Sequence, residues 1–197
     1  MNSSRLETFS DGVIAILITI MVLELRPPHE ATLEALRPLI PVFLSYALSF
    51  VYLGIYWNNH HHMFLLVERI NGKILWANLH LLFWLSLFPF MTGWLGETGF
   101  EEVPAAAYGA VSLLAAIAYF ILQTAIIGEH GSDSRLAQAL GRDLKGKVSP
   151  LLYIAGIVAA PLNRWVSVGI YVFVALMWLV PDRRIEMALA EDRAASH

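Results

Sequence analysis

The sequence predicts an all-α integral membrane protein with six membrane-spanning helices per chain, the first of them bearing a face suited to contact with another helix. Three observations point there. Of the 197 residues, 57% are hydrophobic and only 15% are charged, whereas soluble domains run nearer about 45–50% apolar and about 25% charged. The apolar residues fall in runs long enough to cross a bilayer. The first run also carries an apolar stripe at heptad spacing, for which a single chain offers only one such helix.

The elements follow in order. The first run, 5–25, reads RLETFSDGVIAILITIMVLEL. Ser4 and Glu7 have capping-box spacing, which predicts a helix start at Arg5. At about 1.5 Å per residue this run is about 31 Å long, the thickness of a bilayer core. It is too long, and lacks the small-residue cleavage site, for a cleavable signal peptide. Further spans are expected at 40–66, 74–96, 104–128, 148–163 and 165–181. Pro89 is positioned to kink the third. The last two are short and joined by a Pro-Leu-Asn-Arg turn at 161–164. Between the fourth and fifth lies a polar loop, 129–147, and a charged tail, 182–197, extends the sixth as a helix. No internal repeat divides the chain, so 1–197 reads as one domain.

Charge placement sets the orientation. With the N-terminus inside, Arg26, Arg37 and Arg164 are the outer basic residues, and the other ten of the thirteen Lys and Arg face inward. That positive-inside bias puts both termini in the cytoplasm and fits an even number of spans. A net charge of −3 argues against a nucleic-acid partner, and the absence of cysteine excludes disulfides, thiolate metal sites and cysteine nucleophiles.

On the first helix, Phe9, Gly12, Ile16, Thr19 and Leu23 recur at alternating spacings of three and four, and Ile20 borders the same face. Two readings stay open. Such a stripe is most often a plain helix–helix contact, and a mid-span threonine most often bonds its own backbone. Alternatively, copies of the chain place the stripe around a shared axis. Ile16, Ile20 and Leu23 would then form apolar rings that gate by excluding water, with the Thr19 hydroxyls between them. Glu24 would bring negative charge near the outer mouth.

The same helix starts with a polar cluster of Arg5, Ser10 and Asp11. Asp11 is about 140° around the helix from Ile16, turned toward the chain's own helices. A carboxylate at that depth needs partners. His60, His61 and His62 near the inner end of the second span, and Asn78 and His80 near the start of the third, are the candidates. Adjacent histidines point about 100° apart on a helix and cannot chelate one ion together, so a hydrogen-bond network is favoured over a metal site.

Arg5, Phe9, Ser10 and Asp11 form an R-x-x-x-F-S-D signature that leads through the apolar run to V-L-E-L at 22–25. Y-W-x-x-H-H follows at 56–61, and a run from Asn78 ends in F-P-F at 88–90. In these motifs, and over essentially its whole length, the chain resembles the transmembrane protein 175 family, the endosomal and lysosomal potassium channels and their prokaryotic relatives. The resemblance implies a potassium-permeable channel that needs no cofactor and catalyses no reaction, lying in the bilayer of a prokaryotic plasma membrane. Members with one six-span unit assemble as homotetramers, whereas the animal proteins fuse two units and dimerise. The first helix would line the central pore, with Ile16 as the narrow gate, Thr19 one turn outward, and Ile20 and Leu23 continuing the wall. Arg5, Phe9, Ser10 and Asp11 would join His60, His61, Asn78 and His80 in a network inside each subunit. Prokaryotic members are expected to discriminate less strongly between potassium and other monovalent cations. No T-V-G-Y-G sequence and no arginine-rich span is present, so neither a carbonyl-lined filter nor the usual voltage sensor is expected.

Three other classes stand against the channel, the plainest being a scaffold protein with no transport. A proton-coupled secondary transporter would use Asp11 and the histidines as a relay, but such proteins usually carry internal repeats. An intramembrane metal hydrolase would draw on the same residues, and their spacing argues against it.

Overall fold

In an apolar run the helix continues until something interrupts the backbone ladder, and prolines make several of the interruptions here. The computed structural model describes residues 3–65, 67, 69–131, 137 and 144–179. In chain order these form α1 (Ser3–Leu23), a 3-10 segment (Glu34–Leu39), α2 (Ile40–Phe64), α3 (Gly72–Ser86), α4 (Phe88–Glu97), α5 (Glu102–His130), α6 (Leu144–Ala159) and α7 (Arg164–Leu179).

α1 begins at Ser3, ahead of the expected start, so Ser4 lies inside the helix, where its carbonyl accepts the Thr8 hydroxyl at 2.8 Å. The helix ends at Leu23, as the N–H groups of Glu24 and Leu25 fall back three residues to the carbonyls of Met21 and Val22 ahead of Pro27 and Pro28. The third expected span, 74–96, is two helices rather than one. Pro89 has no N–H to return to Leu85, the Leu87 N–H turns back to Trp84, and α4 restarts with Pro89 in its first turn. Taking α3 and α4 as one broken span, four segments have the length and apolar content to cross a membrane: Ser3–Leu23, Glu34–Phe64, Gly72–Glu97 and Glu102–His130. α6 and α7 are shorter, 16 residues each, or about 24 Å. Most of the expected loop 129–147, at 132–136 and 138–143, and the expected tail helix at 182–197 lie outside the described residues.

α5 is the central post, packed against α3, α4, α6 and α7. Its buried side is rich in small residues, including Ala105, Gly109, Ser112, Ala115 and Ala118. These let neighbouring backbones approach closely, which drives helix association where lipid already satisfies apolar surface. Tyr171 of α7 fills the space over Gly109 and donates its hydroxyl to the Ala105 carbonyl at 3.1 Å. Between α2, α4 and α5 a polar relay is closed off from lipid: Thr92 donates to Ser49 at 2.6 Å, Ser49 pairs with Tyr108 at 3.0 Å, and Ser45 donates to the Thr92 carbonyl at 3.0 Å. α1 lies against α2, α3 and α4, at one side of this core.

A candidate pore helix and its anchor

Leu6, Ser10, Ile14, Leu17 and Met21 form the buried face of α1. Opposite them Phe9, Gly12, Ile16, Thr19, Ile20 and Leu23 are exposed on the subunit surface, Ile16 at 58% and Leu23 at 75%. The Thr19 hydroxyl donates to the Ile16 carbonyl at 2.9 Å. Its proton is thereby spent on its own helix, and its oxygen lone pairs remain open on the exposed face.

What holds α1 in this rotation is a buried chain of hydrogen bonds with a fixed direction. The Ser10 hydroxyl donates to the Leu6 carbonyl at 2.9 Å, so its oxygen accepts from the Asn78 amide, also at 2.9 Å. The amide oxygen of Asn78 therefore faces His60, 2.8 Å away, and His60 carries a proton on Nε2. All three side chains are fully buried. The His60 ring stacks on Phe64 at 4.3 Å, and its Nδ1 has no hydrogen-bond partner among the described residues.

Nearer the surface, α1 and α2 are joined by a ladder of two rungs. His61 donates through Nδ1 to Glu7 at 2.7 Å, and Trp57 donates its indole N–H to Asp11 at 3.1 Å. Glu7 and Asp11 are four residues apart on α1, and Trp57 and His61 are four apart on α2. On antiparallel helices that spacing brings the two pairs face to face.

The expected network therefore divides. Ser10, His60 and Asn78 meet in the buried chain, while Asp11 and His61 belong to the outer ladder, with Trp57 and Glu7 as partners that the sequence did not nominate. Arg5 and Phe9 stand on the exposed face of α1, and Arg5 makes no hydrogen bond or ion pair among the described residues. The physical reason is their register, because both fall within about 20° of Ile16 around the helix. His80 accepts from Trp84 on its own helix at 2.9 Å, away from Asp11. Glu24 lies beside Gly93 of α4, in a shallow cleft with Phe90, Trp94 and Glu97, and forms no ion pair with Arg26 or Arg37. Among the described residues no three His, Asp or Glu side chains converge on a metal-sized site.

Known proteins resemble this chain in sequence and in fold. The family described as endosomal/lysosomal potassium channel TMEM175 matches residues 5–89, which run from α1 into the first turn of α4. A protein of Chryseobacterium sp. strain P1-3, named a potassium channel, is 50% identical over 98% of this chain and 100% of its own length. A second potassium channel by name, from Chamaesiphon minutus, is 31% identical over 88% of this chain and 92% of its own. The chicken endosomal/lysosomal proton channel TMEM175 is 30% identical over 73% of this chain but only 32% of its own length. Among solved structures, the crystal structure of a lysosomal potassium-selective channel TMEM175 homolog from Chamaesiphon minutus superposes with a TM-score of 0.79 at 29% identity, covering 91% of this chain and 97% of that one.

Proposed function

This chain belongs to the TMEM175 family of multi-pass membrane channels, and from that premise we propose that it is a potassium-permeable channel, a homotetramer whose pore is lined by four copies of α1. The observation that carries the reading is the division of α1 into an anchored face and a bare one. A helix rotated so that Phe9, Gly12, Ile16, Thr19 and Leu23 point away from its own subunit needs either lipid or other copies of itself on that side. Heptad spacing, with a glycine and a hydroxyl in the stripe, suits close helix–helix approach about an axis.

In this reading Ile16 forms a narrow apolar ring that excludes water until the ring widens. Thr19, one turn outward, presents oxygen lone pairs that replace part of the potassium hydration shell. Ile20 and Leu23 continue the wall. Glu24, together with Glu97 beside it, raises the local cation concentration at the outer mouth without entering the axis. The Ser10–Asn78–His60 chain and the outer ladder keep the stripe turned inward. Both termini face the cytoplasm of a prokaryotic cell, and other monovalent cations share the path.

The test is potassium flux from purified protein in sealed liposomes. Ile16→Asn should wet the constriction and raise flux several-fold. Flux unchanged by substitutions at 16, 19, 20 and 23 would remove the pore from α1. The vertebrate relatives named proton channels give a second reading some weight, in which protons are the cargo or the coupling ion. Reversal potentials in a planar bilayer separate the two. A potential that follows the potassium gradient supports the channel, and one that follows the pH gradient supports proton movement.

A further inference from the structure

Away from α1, a cavity of about 50 Å³ lies between α2, α5, α6 and α7. Its polar lining is mostly committed. The Tyr119 hydroxyl donates to the Asn59 carbonyl, the Asn59 amide to the Ile55 carbonyl, and the Trp178 indole to Ser149, whose own proton goes to the Lys145 carbonyl. Tyr56 and Gln123 are different. They are 9% and 8% exposed, they line the cavity, and neither side chain has a hydrogen-bond partner among the described residues. A phenol and an amide that line a membrane-domain cavity without a partner among the described residues call for a partner inside it.

The cavity constrains what that something is. Among the described residues no charged side chain lines it, so none of them would compensate an ion there. A purely apolar guest would leave Tyr56 and Gln123 unpaired. The space is about a third of the 150 Å³ or so that accepts benzene, and holds about three to five waters. We propose that this cavity is a binding site for a small uncharged molecule of about four non-hydrogen atoms that carries a hydroxyl group, with water in its place when the molecule is absent. The hydroxyl accepts from the Gln123 amide or the Tyr56 phenol and donates to the Gln123 carbonyl, while the aromatic rings around it cover the carbon chain. Nothing in this site depends on the pore.

The probe is 2-bromoethanol, whose bromine is located by anomalous scattering in crystals of the full chain. Bromine is expected between α2, α5, α6 and α7, with occupancy at least fivefold lower in Gln123→Leu and reduced in Tyr56→Phe. Bromoethane, which lacks the hydroxyl, should occupy the site at least fivefold less than 2-bromoethanol. Tyr56→Phe changes one oxygen and carries the comparison if Gln123→Leu does not fold. No bromine at the cavity, equal occupancy by bromoethane, or undiminished occupancy in the folded variants would overturn the proposal.

Discussion

The two faces of α1 come from one run of residues and carry similar apolar side chains. Leu6, Ile14, Leu17 and Met21 line the buried face, and Phe9, Ile16, Ile20 and Leu23 the exposed one. Their hydrophobicity does not decide which face turns inward, because lipid and protein interior are about equally welcoming to leucine. The difference lies in one hydroxyl on each face. Ser10 is tied through Asn78 to His60 on another helix, whereas Thr19 is tied only to its own backbone. A polar group with long-range partners sets the rotation of an apolar helix about its axis, and the opposite face is then presented to whatever lies outside the subunit.

The largest effect should come from breaking the tie itself. Asn78→Leu removes both links at once and leaves the Ser10 oxygen and the His60 Nε2 proton buried without partners. At about 1–3 kcal/mol per stranded group, the purified protein should melt well below the wild type in a thermal-unfolding assay. A melting temperature within a degree or so of wild type would mean that shape alone orients α1.

Two glycines sharpen the contrast. A Cβ on Gly96 would stand 2.7 Å from the Val42 Cα, where α4 crosses α2, and backbone cannot give way cheaply. Gly96→Ala should cost about 1–3 kcal/mol as an overpacked contact. Gly12, on the bare face of α1, meets nothing within 4 Å, so Gly12→Ala should leave the melting temperature of the subunit unchanged or raise it slightly, since alanine favours the helix by up to about 1 kcal/mol. If the bare face packs around an axis, Gly12→Ala should nonetheless alter potassium flux. Loss of stability in both variants, or flux untouched by Gly12→Ala, would erase the distinction between the faces.

How much of this is legible in the sequence depends on whether a signal is local to one helix. The stripe from Phe9 to Leu23 is visible because its spacing is a property of α1 alone. Ser10, His60 and Asn78 can be nominated as polar residues at similar depth, yet pairing them needs the crossing of three helices. Glu7 and Trp57 escape because a glutamate near a helix start reads as a cap, and a tryptophan near a membrane edge reads as an interface anchor. A usable signal was present, in the matching four-residue spacings of Glu7 with Asp11 and of Trp57 with His61 on consecutive antiparallel helices. The motif groups Arg5 and Phe9 with the network, although their own register puts them with Ile16. Pro89 announced a disturbance in the third span, but whether a proline bends a helix or divides it depends on the tertiary partners of the freed backbone groups.

The smallest expected effect addresses the bare face most directly. Thr19→Val keeps the shape of the side chain and removes its oxygen. The hydroxyl bonds only the Ile16 carbonyl of its own helix, so folding loses little and the melting temperature should stay within a degree or two of wild type. If the lone pairs meet a partly dehydrated potassium ion, single-channel conductance should fall about two- to fivefold, the factor set by about 0.5–1 kcal/mol. Thr19→Ser restores an oxygen at the same position and should restore conductance. A helix–helix contact without a pore makes the opposite forecast, because there the methyl matters and the hydroxyl does not, so Ser would be the damaging change and Val the silent one. The order of these two variants in conductance and in melting temperature thus decides between ion passage and mere packing on this face.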